Sequence, residues 1–77
     1  MQEGYLFSDT IARNIAISDD EPDIERIRYA ARVANIAGYI ETLPLAYNTM
    51  IGQDGQGISQ GQRQRILIAR VVYKNPM

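Results

Sequence analysis

The chain has 77 residues, 45% hydrophobic and 22% charged, which fits one small domain and leaves no room for a second. Cysteine and histidine are both absent, which excludes disulfides, zinc sites built from Cys and His, thiol nucleophiles and His-based catalytic triads. The longest apolar run, residues 66–69, is far shorter than the roughly 20 residues of a membrane-spanning helix, so we expect a soluble piece.

The spacing of apolar residues predicts short helices along most of the chain. Residues 1–7 are expected to form an extended or looping lead-in. A first helix is expected after an N-cap at Ser8 or Asp9, and it should end at residues 18–20. Pro22 suits a position near the start of a helix, so a stronger second helix should begin there. The predicted apolar stripe of that helix comprises Ile24, Ile27, Ala31 and Ala34.

The second half of the chain predicts a third helix, a loop and a last helix. The helical pattern breaks near Asn35, and the third helix should end at Pro44, which cannot continue it. Residues 44–57 contain three glycines and no helical or strand periodicity, so we expect a loop there, followed by a helix from Ser59 to about Tyr73. The predicted fold class is therefore all-α, a small helical subdomain of three to four helices with a Gly/Gln-rich loop before the last one.

Residues 57–65 join a glycine-containing loop directly to the start of the last helix. The first N–H groups of a helix have no intrahelical acceptor and carry the positive end of its dipole, so a phosphate can bind there. Gly61 allows a ligand to come close, and the Ser59 hydroxyl can donate a hydrogen bond to a phosphate oxygen. Ser59 and Gln62 also have the spacing of a capping box, in which the two side chains satisfy the helix's own N–H groups. The residues alone leave both interpretations open.

Residues 58–70 favour the phosphate interpretation because of a resemblance. They read ISQGQRQRILIAR, which closely resembles the LSGGQ-R-Q-R-x-x-x-A-R signature of ABC transporter ATP-binding cassettes. The similarity is to exporter-type cassettes and extends over the whole chain. Gln2 and the residues after it resemble the Q-loop, and the segments around Asn14, Tyr47 and Lys74 resemble the following helix, the stretch before the signature and the lead-in to Walker B. We therefore expect residues 1–77 to be the helical, signature-bearing subdomain of such a cassette, without Walker A and Walker B.

The resemblance implies two groups of functional residues. The signature residues would close over the γ-phosphate and ribose of ATP held by the opposite cassette of a head-to-tail dimer. They are Ser59, Gln60, Gly61 and Gln62. Gln2 would be the Q-loop residue that senses Mg²⁺ and the γ-phosphate region, and it is the candidate metal ligand in the intact cassette only. The residues expected near the coupling helices of the transmembrane domain are Glu3, Gly4, Tyr5, Leu6, Phe7, Gln53 and Asp54.

Two positions depart from the family pattern. Gln60 stands where glycine is usual, which places a long side chain beside the expected phosphate. Gln53 stands where exporters usually carry Glu, which removes a charge from the loop thought to transmit motion between the two halves. Either change is consistent with a weaker site.

The sequence contains no G-x-x-x-x-G-K-[ST] loop and no apolar strand ending in Asp-Glu. These motifs supply the lysine, the metal-binding aspartate and the catalytic carboxylate of phosphoryl transfer. The chain alone is therefore not expected to be an enzyme or to bind ATP and Mg²⁺ tightly, whereas the parent protein would be an ATP hydrolase that drives transport. The expected partners are the Walker A/B core of the same cassette, a second cassette and a transmembrane domain, at the cytoplasmic face of the plasma (inner) membrane.

The positive charge of residues 58–77 supports a different interpretation. This stretch has no acidic residue, and its cations are Arg63, Arg65, Arg70 and Lys74. In a helical nucleic-acid-binding module these would contact phosphates, but no aromatic-basic interleaving accompanies them, so we expect no nucleic-acid partner. A third interpretation is the related signature segment of chromosome-maintenance ATPases, which would be expected beside long heptad runs that this sequence lacks.

Overall fold

The computed structural model describes residues 4–52 and 57–75, and within those ranges the chain is mainly helical. The helices are α1 (Ile11–Ile15), α2 (Ile24–Val33), α3 (Ala37–Thr42) and α4 (Gln60–Lys74), with a 3₁₀ turn at Ala46–Asn48. The predicted helical fold class is confirmed. The structure adds a pair of very short antiparallel strands, β1 (Asp9–Thr10) and β2 (Met50–Ile51), in which Asp9 faces Ile51 and Thr10 faces Met50. None of the helices in the described part of the chain is long and apolar enough to cross a membrane.

The start of α1 differs from the prediction by one or two residues. Its N-cap is Thr10, whose side chain accepts a hydrogen bond from the Arg13 N–H at 3.0 Å. Asp9 cannot take that position because it pairs with Ile51 in the strand ladder, and its carboxylate accepts the Thr10 N–H instead. The prediction of Ser8 or Asp9 as N-cap was therefore wrong, since the cap is set by a strand pairing 40 residues away in sequence.

Helix α2 begins after Pro22 and not at it. Asp23 is the N-cap, and its carboxylate accepts the N–H groups of Glu25 and Arg26 at 3.0 and 3.3 Å. Ile24 is the first helical residue and is 48% exposed, so it does not belong to the apolar stripe predicted for this helix. The stripe that packs inward comprises Ile27, Ala30, Ala31 and Ala34.

The break between α2 and α3 falls at Asn35, as predicted. Asn35 has a left-handed backbone (φ 61°), a conformation that asparagine tolerates better than most residues. Its N–H donates to the Arg32 carbonyl at 3.0 Å, and the Ile36 N–H donates to the Ala31 carbonyl at 2.9 Å. This pair of bonds is a Schellman motif, which closes α2 and turns the chain directly into α3.

The core forms around α4, which has its most extensive contacts with α2 and α1. Its inward face consists of Ile66, Ala69, Arg70 and Tyr73. Opposite them lie fully buried isoleucines from the earlier elements, namely Ile11, Ile15, Ile27, Ile36, Ile40 and Ile51. The last element in the chain therefore provides the surface on which the first two helices pack.

Tyr73 anchors the end of α4 to the start of α2. Its hydroxyl donates to the Asp19 carboxylate at 2.5 Å and accepts the Asp23 N–H at 3.1 Å, while the Arg26 guanidinium lies 4.4 Å from its ring centre. The hydrogen bond from Tyr73, followed by that from the Glu21 N–H, lowers the pKa of Asp19. Burial and the Asp19 carboxylate raise the pKa of Tyr73.

Tyr73→Phe is expected to raise the pKa of Asp19 toward its ordinary value of 3.8, because the main donor to the carboxylate is removed. A carboxyl with a lowered folded pKa stabilises the fold above its unfolded pKa, and this contribution is lost as the pH falls through the folded value. Acidification below about pH 4 should therefore destabilise the variant less steeply than the parent chain. Carboxyl ¹³C chemical shifts across the titration would measure the change. The exposed Tyr29 provides the control Tyr29→Phe, which should leave Asp19 unaffected.

Candidate functional site

The start of α4 forms a capping box, one of the two interpretations that the residues left open. The Ser59 Oγ accepts the Gln62 N–H at 3.1 Å, and the Gln62 Oε1 accepts the Ser59 N–H at 3.0 Å. The Arg63 N–H donates to the Ser59 carbonyl at 2.9 Å, which makes the first regular bond of the helix. The backbone before the cap turns at Gly57, where φ is 100°, a value that favours glycine.

The capping box leaves several donors at this helix end without an acceptor in the described residues. A serine hydroxyl that accepts one hydrogen bond keeps its proton to donate, and the side-chain amide of Gln62 bonds through its oxygen only. The N–H groups of Gln60 and Gly61 lie in the first turn, where a helix supplies no acceptor. The two interpretations of this segment are therefore compatible, because the same residues can cap the helix and face an anion.

The described residues do not require glycine at position 61, and the same holds for Gly38 in α3. The φ of Gly61 is not positive, and a Cβ added there would meet nothing within 4 Å. A glycine inside a helix costs roughly 1 kcal/mol relative to alanine, so this choice weakens α4 without relieving any clash or strain in the described structure. Close approach by a group outside the chain would account for it.

Gln60 occupies the first position of α4, as expected. Its side chain is exposed, and it is not among the non-glycine residues with positive φ, which in the described ranges are Ser18, Asn35 and Ala46. Gln60 therefore adopts a helical backbone without strain, and its side chain is exposed.

Two arginines of α4 contact the N-terminal segment. The Arg63 Nη2 donates to the Gly4 carbonyl at 3.3 Å. Arg70 is buried, and its Nε donates to the Asn14 carbonyl at 2.9 Å while its Nη2 lies 3.4 Å from the Asn14 Oδ1. The Arg70 guanidinium also lies 5.8 Å from the centre of the Phe7 ring, within the range of a cation–π contact. Helix α4 therefore donates a hydrogen bond to residues 4–7 at Gly4 and contacts them again at the Phe7 ring, while Arg70 donates hydrogen bonds to Asn14.

Asn14 is the polar centre of this arrangement and was not singled out as a functional residue from the sequence. It is 1% exposed, and its side-chain amide bonds both backbone groups of Phe7, accepting the N–H at 2.7 Å and donating to the carbonyl at 3.0 Å. It also donates to the Thr10 carbonyl at 2.9 Å. An open cleft of about 480 Å³ lies beside it, lined among others by Phe7, Arg13 and Ile17.

Comparison with known proteins gives a consistent result. No family model matches the chain. The ATP-dependent lipid A-core flippase of Saccharophagus degradans is 51% identical over 74 residues, which cover 96% of this chain and 13% of that protein. The leukotoxin translocation ATP-binding protein LktB of Mannheimia haemolytica is 45% identical over 76 residues, 99% of this chain and 11% of that protein. A solved structure of a bacterial Atm1-family ABC exporter with ATP bound is 43% identical with a TM-score of 0.87, covering 97% of this chain and 13% of the exporter chain.

The chain is homologous to a short segment of ABC exporter proteins. It spans no more than 13% of the length of these relatives, so their activities and partners are those of longer proteins. The family resemblance read from the sequence is confirmed, and these relatives are exporters and not chromosome-maintenance ATPases.

The exporter resemblance also implied functional residues that the structure does not describe. Gln2, Glu3, Gln53 and Asp54 lie outside the described residues. Among the described residues no group of three or more His, Cys, Asp or Glu side chains could hold a metal ion.

Within the predicted coupling segment, the side chains differ in exposure. Tyr5 is 53% and Phe7 41% exposed, and Gly4 is also at the surface, whereas Leu6 is 1% exposed and packs in the core. Leu6 therefore anchors the segment to the core, and its side chain does not lie on the surface with those of Tyr5 and Phe7.

The burial of Arg70 also changes the interpretation of the C-terminal charge. A guanidinium that is 1% exposed and bonded to Asn14 is not on a solvated basic face. The nucleic-acid interpretation requires Arg70 to contact a phosphate. Arg70 is instead bonded to Asn14 inside the fold, so one of the four cations in that interpretation is not on the surface.

Proposed function

We propose that residues 1–77 are the helical subdomain of an exporter ATP-binding cassette and act on ATP in trans. In this proposal Ser59, Gln60, Gly61 and Gln62 contact the γ-phosphate and ribose of ATP bound by the opposite cassette. The observation that carries the proposal is the exposed start of α4, where the capping box leaves the Ser59 hydroxyl proton and the first-turn N–H groups of Gln60 and Gly61 without an acceptor among the described residues. A nucleotide phosphate at the helix end would accept these hydrogen bonds.

The chemistry of the helix end supports this role. The Ser59 hydroxyl and the first-turn N–H groups of Gln60 and Gly61 can donate to phosphate oxygens, and the positive end of the helix dipole favours the anion. The Gln62 side-chain amide nitrogen can donate to a ribose hydroxyl while its oxygen keeps the cap bond to Ser59. In this proposal these groups donate hydrogen bonds to the nucleotide and supply neither the catalytic base nor the metal ligands of hydrolysis. The subdomain therefore stabilises charge, and hydrolysis requires the Walker A lysine, the Walker B carboxylates and Mg²⁺ held by the rest of the protein.

The same proposal assigns the N-terminal segment to coupling. Gln2 would sense Mg²⁺ and the γ-phosphate region, and the surface residues Gly4, Tyr5 and Phe7, together with Glu3, Gln53 and Asp54, would lie near the coupling helices of the transmembrane domain. The exposure of Tyr5 and Phe7 beside an open cleft supports this assignment. The parent protein would then work at the cytoplasmic face of the plasma (inner) membrane as a dimer of cassettes.

A mixing experiment tests the assignment in trans. One full-length cassette carries Ser59→Arg and the other lacks the Walker A lysine, so neither can form a working homodimer. In a head-to-tail dimer the mixture contains one intact site, made from the Walker A motif of the first and the signature of the second. Recovery of hydrolysis on mixing supports the proposal, and no recovery, with dimers present by light scattering, contradicts it.

Gln60→Gly is expected to change ATP hydrolysis of the full-length dimer by no more than a few-fold. The reason is that Gln60 is exposed and unstrained, so its side chain can turn away from the phosphate. The helix should lose under about 1 kcal/mol from the added glycine. Gln64→Gly, at an exposed position one turn later, controls for that loss. A tenfold or larger gain in hydrolysis, about 1.4 kcal/mol, would mean that Gln60 intrudes on the phosphate.

A further inference from the structure

Residues 4–7 contact helix α4 at two points, Gly4 and Phe7. Arg63 and Arg70 are seven residues apart, which is about 10.5 Å along a helix and returns to nearly the same face. The two arginines reach opposite ends of residues 4–7, Arg63 at the Gly4 carbonyl and Arg70, through Asn14, at the Phe7 backbone.

Asn14 links Arg70 to the backbone of Phe7. Its side chain holds both the N–H and the carbonyl of Phe7, and its own carbonyl is held by the Arg70 Nε. Helix α1 has five residues, too few to be a stable helix without tertiary support. The bonds to Arg70 connect this weak element to the 15-residue α4.

Burial alone does not favour arginine at position 70. A buried cation costs free energy unless its donors are bonded, and well-packed apolar residues often replace buried charged groups with neutral or improved stability. What an apolar residue cannot do is fix the direction and register of two backbone segments relative to each other. The guanidinium, with donors in a rigid plane, can.

We propose that Arg70 and Asn14 are positioning residues that make α4 and residues 4–7 move as one body. A displacement of the helix when its N-terminus engages ATP would then be delivered to Tyr5 and Phe7, the exposed residues of this unit. This step rests on the proposed function, because it takes the start of α4 as the nucleotide contact and residues 4–7 as the coupling segment.

The rigidity can be measured by pulsed electron paramagnetic resonance in the intact exporter. Tyr5 and Val71 are both exposed, and the chain has no native cysteine, so spin labels can be placed by Tyr5→Cys and Val71→Cys in a cysteine-free background. One narrow distance distribution is expected with and without ATP. Asn14→Ala should broaden it at least twofold, because Phe7 loses both backbone attachments.

A matched control distinguishes positioning from general stability. Tyr73→Phe also removes buried hydrogen bonds of α4, but those bonds go to Asp19 and Asp23 and not to the N-terminal segment. It should leave the distance distribution unchanged. Arg70→Lys keeps the charge and should broaden the distribution less than Asn14→Ala, and it provides the measurement if Asn14→Ala fails to fold.

The functional readout is the number of substrate molecules transported per ATP hydrolysed. In unlabelled exporter, Asn14→Ala should lower this ratio at least fivefold while basal hydrolysis stays within threefold. A parallel fall in transport and hydrolysis, or an unchanged distance distribution in both Asn14→Ala and Arg70→Lys, overturns the proposal. The distance measurement without ATP does not depend on the nucleotide contact, so it can succeed even where the mixing experiment fails.

Discussion

Ser59→Arg is expected to lower the ATP-driven turnover of the full-length exporter by at least about a hundredfold while leaving ATP affinity of each cassette nearly unchanged. Removing one preorganised donor from a charge-stabilising site costs on the order of 2.7–4 kcal/mol, and the arginine side chain also occupies the space in front of the helix end. Affinity should be retained because Ser59 contacts nucleotide that belongs to the partner. Turnover would be measured by phosphate release, dimer closure by ATP-dependent size-exclusion chromatography of a hydrolysis-deficient form, and affinity by calorimetry on monomeric cassettes.

Two other variants separate this effect from charge and from helix stability. Gln64→Arg adds the same charge at an exposed position of α4 and should have little effect on turnover. Ser59→Ala removes the cap that accepts the Gln62 N–H, which should cost about 1 kcal/mol of helix stability. It also removes the hydroxyl donor but leaves the space in front of the helix end open, so its turnover should lie between those of the parent and Ser59→Arg. Equal loss of monomer ATP affinity in Ser59→Arg would contradict action in trans.

Ile66→Ala is expected to destabilise the 77-residue chain by about 3 kcal/mol. Ile66 is fully buried on the inner face of α4, and large-to-small changes at such positions typically cost 2–5 kcal/mol because they leave a cavity. Ile68→Ala, two residues along the same helix at a position that is 50% exposed, should cost under about 1 kcal/mol. Urea titration of both variants followed by circular dichroism would give the two free energies of unfolding.

The same pair of variants tests whether the outer face of α4 is covered in the parent protein. If Ile68 and Val71 pack against the Walker A/B core, Ile68→Ala should cost about 2 kcal/mol or more in the complete cassette, approaching the cost of a buried position. A cost that stays near the value for the 77-residue chain would show that this face is not part of that interface.

Local signals in the sequence were sufficient for the elements whose ends are decided by neighbouring residues. The capping box at Ser59 and Gln62, the break at Asn35 and the stop before Pro44 all depend on interactions within a few residues, and all three are found in the structure. The signature match could likewise be read directly, because it is a contiguous run.

The features that the sequence did not reveal depend on pairings between distant parts of the chain. Thr10 became the cap of α1 because Asp9 pairs with Ile51, and nothing near Asp9 indicates that partner. Arg70 fell on the apolar face of α4 together with Ile66 and Ala69, which was a signal of burial, but its partner Asn14 is 56 residues away. A basic residue in an apolar stripe therefore predicts a buried polar contact without identifying it.

The position of α4 at the end of the chain has a consequence for synthesis on the ribosome. Helices α1 and α2 leave the exit tunnel before α4, so for a time their buried isoleucines have no surface to pack on. At about 5–20 residues per second, the 41 residues from 34 to 74 take roughly 2–8 s to add. During that interval we expect the nascent segment to expose a nonpolar face of the kind that holdase chaperones bind, and slower translation of the codons for residues 34–74 should lengthen it.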